Sequence, residues 1–512
     1  MLCAFVFMLF FMVTCYKLIG ASLWYDEAVE YWYSRVMLGP LPFSDVGNSM
    51  YDRIIYTFQP PLYNLVMFLW LKVNEGEWWF RFFGVIMGFF SMIPLYRTSK
   101  VIANTWAGLA IVVLCTFNYH LQYYWQECAE YCLAICMLCW SIYYWVRYLK
   151  TPDGRNATWF TIFCVLSVYS QYGMAFPIAV MALLAFLRAV ASREKGNVLG
   201  VTVRYLIAII CAGLPLFIFF LKPQMLHQES AQLAQMTFTD GILRDMESAF
   251  STELRVNFLQ SLSTDEQLLG FVMYLLLALM VIALVFGRDS MARFIIIANI
   301  VTWLLYYFSA KLGIYVHNHM DDPFGRRYSL FLIPMWMLLF TGIGAGLWSI
   351  IRQHLHVNLI NAKYCIAGML LCIVFCYSFM GWNTKLQAHW SKENNRDLVG
   401  AWYEADAQAS NTFVYYSAKY GFSYYVKHSD QYTEHTEDNV HYMTSLRNLS
   451  EDEYTAYIND VYGDNWPREI YFAMSHTVSD YKTITKCFKS AGYKSKEIYK
   501  GRRAKLVRFV KK

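Results

Sequence analysis

Long apolar runs recur along the chain, and they constrain its fold more than any other feature. The chain has 512 residues, of which 57% are hydrophobic and only 16% charged, whereas a soluble protein carries roughly a quarter charged residues. Many runs approach the ~20 residues that a helix needs to cross a bilayer. About eleven transmembrane helices are predicted, near residues 1–20, 78–98, 105–122, 128–147, 158–170, 173–190, 201–221, 268–287, 292–311, 328–350 and 363–382. The chain is therefore predicted to be an α-helical polytopic membrane bundle.

Basic residues in the short loops predict the orientation of this bundle. A cytoplasmic N-terminus places most of these basic residues in the inner loops, among them Arg97, Lys100, Arg147, Lys150, Arg188, Arg204, Arg288 and Arg352. The opposite loops are longer and hold acidic residues. The first run lacks a basic n-region and has only a weak cleavage site, so a membrane helix is favoured over a cleaved signal peptide. Localisation in the cell membrane follows, with residues 21–78 on the extracytoplasmic side.

Polarity divides the chain into two predicted domains, a transmembrane bundle at 1–382 and a polar domain at 383–512, called the tail domain below. The first outer loop is predicted to contain interfacial helices, one from Trp24 to Met37 and one after Pro60-Pro61. The tail domain is predicted to be a small extracytoplasmic α/β domain that covers the outer mouth of the bundle and helps to choose the acceptor. Its predicted elements are a helix at 394–409, strands at 411–417 and 468–475, a loop-rich acidic stretch at 429–464, a helix at 478–491 and a hairpin at 493–510.

Four cysteines follow one face of a single predicted helix, at Cys128, Cys132, Cys136 and Cys139. Successive thiols on one helix cannot be bridged without distorting it. A metal stripe is one interpretation of this spacing. Close helix packing is the favoured one, because small residues on membrane helices mark sites where helices approach each other.

An adjacent acidic pair, Asp26 and Glu27, lies a few residues beyond the first apolar run. Carboxylates at the rim of a membrane span are costly unless they have a partner, a metal or a proton to exchange. Their position predicts chemistry at the membrane surface. The alternative is that Asp26 only caps the helix that follows it.

Several short motifs resemble, in combination, the bacterial GT-C membrane glycosyltransferases. This group includes the protein O-mannosyltransferases and the aminoarabinose transferase of lipid A. The resemblance covers about the first 150 residues well and the rest of the bundle loosely. Its motifs are LWYDEA at 23–28, QPPLY at 59–63, WFRFFG at 79–84, YWQECAEY at 124–131 and PFGRRY at 323–328.

The resemblance implies transfer of a sugar from a polyprenyl-phosphate carrier to a glycan, lipid or protein acceptor, with inversion at the sugar carbon. Asp26 is the implied base for the acceptor hydroxyl, and Glu27 would orient it or pair with a cation. Glu127 is a second carboxylate that would bind acceptor or sugar hydroxyls. The donor phosphate would be bound by Arg326, Arg327 and Tyr328, since guanidinium groups match phosphate oxygens bidentately.

Each of these roles has a simpler alternative. Glu127 could form an ion pair, and the arginine pair could bind lipid headgroups at a helix start. Gln59 departs from the charged residue or histidine that relatives often carry before the two prolines, which weakens any donor contact there.

One cluster has the composition of a metal site, with His317 and His319 followed by Asp321 and Asp322. Nothing in the sequence places these side chains on a rigid element, so no metal site is predicted and a divalent cation is left open. The basic residues are not interleaved with aromatic ones, so membrane lipids rather than nucleic acid are the expected partners.

Two other classes of function compete with an enzyme. A transporter or lipid flippase would place ionisable residues at mid-bilayer and break helices in matching halves. A structural or sensory membrane protein would not depend on carboxylates at the rim. The charges gather at the outer rim and no repeat is visible, which favours the enzyme.

Overall fold

The structure is a computed structural model that describes residues 1–35, 51, 54–55, 59–192, 195–226, 246, 249–253, 266–312, 314–315, 327–354, 392–443, 449–463, 465–476 and 480–512. Three sequence predictions lie outside these residues: the crossing at 363–382, the metal-like cluster at 317–322 and the contact from Arg326.

Apolar helices make up the described chain before the tail domain. Polar N-cap side chains start four of them, because Asn104, Asn118, Asp153 and Asp289 each accept a hydrogen bond from a backbone N–H of the first turn. In chain order the helices are α1 (Leu2–Cys15), α2 (Tyr25–Arg35), α3 (Leu62–Leu71), α4 (Glu77–Ile102), α5 (Thr105–Thr116), α6 (Tyr119–Trp125), α7 (Tyr131–Lys150), α8 (Gly154–Ser170), α9 (Ala175–Ala191), α10 (Lys195–Leu216), α11 (Lys222–Leu226), α12 (Glu266–Phe286), α13 (Ser290–Lys311) and α14 (Leu332–His354).

The helical polytopic bundle predicted from the sequence is confirmed, with a difference in the number of long helices. Six described segments are long and apolar enough to cross a membrane: Glu77–Ile102, Tyr131–Lys150, Tyr172–Ala191, Asn197–Leu226, Ser290–Lys311 and Leu332–Gln353. The segment predicted as one crossing at 105–122 is divided into α5 and α6. The division occurs because the side chain of Asn118 accepts from Leu121 N–H at 3.0 Å and starts a new helix.

Small residues allow the helices of the bundle to pack closely. A Cβ added at Gly346 of α14 would lie 2.8 Å from the Cβ of Ala283 in α12, so these two helices meet almost backbone to backbone. The four cysteines at 128, 132, 136 and 139 are each at most 2% exposed. Cys128 lies on the turn before α7, so the prediction of one helix holds for Cys132, Cys136 and Cys139, whose burial agrees with close helix packing.

The chain forms two compact units. The first comprises Met1–Tyr16, Ile54–Val66 and Arg81–Gln387, and the second comprises Lys17–Arg53, Met67–Phe80 and Ala388–Lys512. Helix α2 and the start of α4 therefore belong to the same unit as the tail domain. The sequence did not reveal this association.

The second unit contains a five-stranded sheet with helices packed on it. Strands β2, β1 and β3 are parallel, and β5 and β4 continue the sheet as an antiparallel hairpin, in the order β2-β1-β3-β5-β4. The elements are α15 (Asn395–Glu404), β1 (Asn411–Val414), α16 (Lys419–Lys427), β2 (Val440–Tyr442), α17 (Glu451–Tyr462), β3 (Glu469–Ser475), α18 (Tyr481–Ser490), β4 (Tyr493–Gly501) and β5 (Ala504–Lys511). The ring of Phe488 in α18 stacks on Phe509 of β5 at 4.0 Å.

The predicted α/β fold of the tail domain is confirmed, and most of its elements lie where the sequence placed them. The prediction of a loop-rich stretch at 429–464 was wrong, because the structure has β2 and α17 there. Helix α17 begins with a capping box, in which the Ser450 and Glu453 side chains each accept from the other's backbone N–H.

Helix α2 packs against α16 of the tail domain. The indole N–H of Trp32 donates to the carbonyl of Tyr420 at 2.9 Å. At the end of α2, Glu75 accepts from Tyr31 at 2.5 Å and from Arg35 at 2.9 Å. Burial, together with the carboxylate of Glu75, raises the pKa of the Tyr31 hydroxyl well above its usual range. The hydroxyl therefore stays protonated and remains a donor.

The burial of Lys419, the first residue of α16, can be tested. The side chain of Lys419 is 1% exposed, and burial lowers its pKa from 10.5 to about 8. The unfolded chain therefore binds more protons between pH 8 and 10.5, and burial of the charged form opposes folding below pH 8. We expect Lys419→Met to stabilise the protein at pH 7, by on the order of 1–3 kcal/mol, in thermal unfolding of the purified protein.

The gain should shrink as the pH rises from 8 towards 10.5. Lys427→Met, at the other end of α16, is the matched control, because Lys427 is less buried and lies 3.7 Å from Glu437. If Lys419→Met stabilised the protein equally at pH 7 and pH 10, the lowered pKa of Lys419 would be contradicted.

Candidate active site

The acidic pair lies in the first turn of α2. The carbonyl of Trp24 accepts from Ala28 N–H at 2.9 Å, so Trp24 is the N-cap and Asp26 is the second residue of the helix. The carboxylate of Glu27 accepts from Trp24 N–H at 3.4 Å, which is half of a capping box. The capping contact therefore comes from Glu27, and both carboxylates lie at the positive end of the helix dipole.

The carboxylates of α2 differ in burial. Glu27 and Glu30 are 2% and 4% exposed, whereas Asp26 is half-buried. Asp26 thus keeps access to solvent while its neighbours do not. Glu30 was not selected from the sequence, although its spacing of four residues from Asp26 places it on the same side of the helix.

A second polar region forms in the first unit around the turn between α6 and α7. The amide of Gln126 donates to the carbonyls of Thr14 and Tyr16 at 2.8 and 3.1 Å, which attaches this turn to the end of α1. Two glycines allow helix α4 to pack closely against Trp125, which precedes the turn. A Cβ at Gly84 would lie 2.5 Å from the carbonyl oxygen of Trp125, and one at Gly88 would lie 2.8 Å from its ring.

Two glutamates on this turn are buried. Glu127 is 6% exposed and Glu130 is 3% exposed. The carboxylate of Glu130 accepts from the side-chain amide of Gln59 at 3.3 Å, so the residue before the two prolines contacts an acidic residue. Glu127 was predicted from the sequence and Glu130 was not, although both occur in the same motif.

The described part of the PFGRRY motif lies near the start of α7. Tyr131, the first residue of α7, interacts electrostatically with Glu130, Arg327 and Tyr328. The guanidinium of Arg327 lies 4.9 Å from the ring of Tyr328. The carbonyl of Tyr328 accepts from the hydroxyl of Tyr315 at 3.3 Å. The structure thus brings Arg327 and Tyr328 towards the turn that carries the two glutamates.

The predicted site residues divide between the two units. Asp26 and Glu27 belong to the second unit, and Glu127, Arg327 and Tyr328 belong to the first. Within the residues that the structure describes, no group of three or more His, Cys, Asp or Glu side chains is arranged to hold a metal ion.

A family model matches part of the chain. The model described as dolichyl-phosphate-mannose-protein mannosyltransferase matches residues 58–233. No curated protein sequence matches the chain.

The chain is similar to the crystal structure of ArnT from Cupriavidus metallidurans bound to undecaprenyl phosphate. The TM-score is 0.55 at 11% identity, over 99% of this chain and 97% of that one. The apo structure of the same protein gives a TM-score of 0.54 at 12% identity, over the same shares of the two chains. At this identity the likeness establishes the fold. The predicted resemblance to the GT-C superfamily of membrane glycosyltransferases is confirmed by the two findings together.

The close approach of α4 to Trp125 generates a prediction about the turn at 126–130. We expect Gly84→Ala to destabilise the protein by at least about 1–3 kcal/mol, because the added methyl group would overlap a backbone carbonyl and must displace it. The measurements are the yield of folded protein in detergent and the midpoint of its thermal unfolding.

Gly344→Ala in α14 is the matched control, since nothing lies within 4 Å of a Cβ added there. That variant should be neutral or slightly stabilising. Equal stability of the two variants would show that α4 does not contact Trp125 through Gly84.

Proposed function

We propose that the protein is a glycosyltransferase that moves a sugar from a polyprenyl-phosphate-linked donor to an acceptor hydroxyl at the extracytoplasmic face of the membrane. The fold and the family model support a GT-C membrane glycosyltransferase. The observation that carries the proposal is the position of Asp26, a half-buried carboxylate in the first turn of α2 beside two buried glutamates.

The reaction that these residues support is a single displacement at the sugar carbon. The acceptor oxygen forms a bond to C1 of the sugar while its proton moves to the Asp26 carboxylate. The bond between C1 and the phosphate oxygen breaks, and its electron pair leaves with the polyprenyl phosphate. Attack from the side opposite the leaving group inverts the configuration at C1.

Asp26 suits the role of base better than its neighbours do. Asp26 is half-buried, whereas Glu27 and Glu30 are buried, so of the three residues it is the most accessible to an acceptor. Glu27 accepts from the backbone of Trp24 and is nearly fully buried. We assign Glu27 to holding the first turn of α2 and orienting Asp26.

The leaving phosphate requires positive charge. We assign this to Arg326 and Arg327, with Tyr328 as a further donor, because guanidinium groups bind phosphate oxygens bidentately. Arg327 and Tyr328 lie near the start of α7, and this position supports a donor site in the first unit. Glu127 lies on the adjoining turn, where its carboxylate would accept from hydroxyls of the sugar or the acceptor.

The proposal predicts that Asp26→Asn inserts normally and transfers sugar at least ~100-fold more slowly than the unaltered protein. The amide keeps the shape of the carboxylate but cannot take the proton. The measurement is a transfer assay with purified protein and radiolabelled polyprenyl-phosphate sugars.

Glu451→Gln is the control, because Glu451 is also an acidic residue in the first turn of a helix, and its carboxylate pairs with Lys486 on the surface of the tail domain. It should leave the rate within about twofold. Full turnover by Asp26→Asn would remove Asp26 as the base. Failure of the unaltered protein to transfer any of the sugars tested, combined with movement of the intact lipid across vesicles, would favour the flippase alternative.

Substitutions at the proposed phosphate site should have a different kinetic effect from Asp26→Asn. Arg327→Gln should lower kcat/KM for the donor lipid by on the order of 10–100-fold, and Arg327→Lys should lie between that variant and the unaltered protein, since a lysine keeps the charge but loses bidentate geometry. Arg155→Gln, at an exposed position in the first turn of α8, is the control. If kcat/KM for the donor lipid were the same in all three variants, Arg327 would be excluded from the phosphate site.

A further inference from the structure

The four residues before Asp26 are bound by side chains of the tail domain. The hydroxyl of Tyr425 accepts from Leu23 N–H at 2.6 Å, and the side-chain amide of Asn395 donates to the carbonyl of Leu23 at 2.9 Å. The backbone N–H of Asn395 donates to the hydroxyl of Ser22 at 3.1 Å. Both polar groups of the Leu23 backbone are therefore held by side chains that lie 372 and 402 residues away in the sequence.

Glu393 extends this contact to the first residue of α2. Its carboxylate accepts from Tyr25 N–H at 3.1 Å and from the Asn395 side chain at 3.2 Å. The other carboxylate oxygen lies 2.5 Å from Nδ1 of His476. The side chain of Glu393 is fully buried, where a carboxylate requires such partners. Tyr25 N–H is one of the donors that the start of a helix leaves without an intrahelical acceptor.

His476 contacts the same segment through its ring. It follows β3 in a left-handed backbone conformation, with φ of 63°, which is uncommon for a residue other than glycine. Its ring stacks on that of Tyr25 at 4.7 Å and lies 6.3 Å from the ring of Trp24. In this conformation His476 contacts both Glu393 and Tyr25.

The opposite end of α2 is also held. The Glu75 carboxylate binds Tyr31 and Arg35, as described above, and its carbonyl accepts from the Tyr424 hydroxyl at 3.1 Å. The Tyr425 hydroxyl that binds Leu23 also donates to Glu77 at 2.9 Å. The helix is thus bound at both ends, and its first turn cannot shift without breaking these contacts.

We propose that Glu393 and His476 are positioning residues that hold the first turn of α2 so that the Asp26 carboxylate faces the acceptor. The inference rests on the proposed function of Asp26. Neither residue is assigned a contact with the substrates, since each acts through the backbone or the ring of Tyr25. A displacement of about 1 Å in a catalytic group can lower a rate by about 100-fold, so the contact is expected to affect turnover.

The kinetic test compares variants that remove or keep the bond to Tyr25. Glu393→Ala should lower kcat by about 10–100-fold and leave the KM for the donor lipid within about twofold, because the donor side is unchanged. Glu393→Gln should recover most of that loss, since its amide oxygen still accepts from Tyr25 N–H. His476→Ala should lower kcat in the same way, because it removes the stacking on Tyr25 as well as the partner of Glu393.

A matched control exists in the sheet of the tail domain. Glu469 pairs with Arg508 at 2.6 Å. None of the bonds described for this ion pair involves residues 22–25. Glu469→Ala should leave kcat within about twofold. An equal loss of kcat in Glu393→Ala and Glu469→Ala would overturn the proposal, because the effect would then be general destabilisation of the tail domain.

Two further measurements separate this inference from the proposed function. If Glu393 acts through Asp26, adding Glu393→Ala to Asp26→Asn should cause little further loss of activity. Hydrogen exchange of the peptide covering residues 17–35 should be faster in Glu393→Ala and unchanged in Glu469→Ala. If hydrogen exchange of this peptide were unchanged in Glu393→Ala, the contact between Glu393 and Tyr25 would be disproved. Full activity of Asp26→Asn, together with faster exchange in Glu393→Ala, would reject Asp26 as the base and leave the contact intact.

Discussion

The packing of α2 against the tail domain determines where the proposed base lies. Helix α2 has 11 residues, and a helix of that length is marginal on its own in water. Its stability must come from tertiary contacts, such as the bond from Trp32 to Tyr420 and the stacking of Tyr25 on His476. The position of Asp26 is therefore a property of the second unit as a whole.

Buried carboxylates occur in both units, and burying a charged group has an energetic cost. Glu27 and Glu30 are buried in the second unit, and Glu127 and Glu130 in the first. A buried carboxylate without partners destabilises a fold by several kcal/mol, and bundles rarely carry ionisable residues except where function needs them. A transporter would place such groups near mid-helix. Here Glu127 and Glu130 lie before the start of α7, and Glu27 and Glu30 lie on α2, whose 11 residues are too few for a membrane-spanning helix.

Local patterns predicted the elements whose signals are local. The long apolar runs of α4, α7, α13 and α14 identified spanning helices, and short runs of strand-forming residues identified β3 and the β4–β5 hairpin. Helix α17 was missed although Ser450 and Glu453 formed a readable capping signal. The association of α2 with α16 had no local signal, because its bond from Trp32 joins residues 388 positions apart. No periodicity reports a contact over that separation.

The site residues that the sequence identified also have local signals. Asp26, Glu27 and Glu127 occur in compact motifs, so a resemblance was enough to select them, whereas Glu393 and His476 stand in unremarkable surroundings of the tail domain. Their relevance depends on a backbone N–H of Tyr25 and an aromatic ring, neither of which a motif encodes. The tail domain was expected to cover the bundle and choose the acceptor. The contacts within the second unit support an additional role, since the first turn of α2 takes its position from tail-domain side chains.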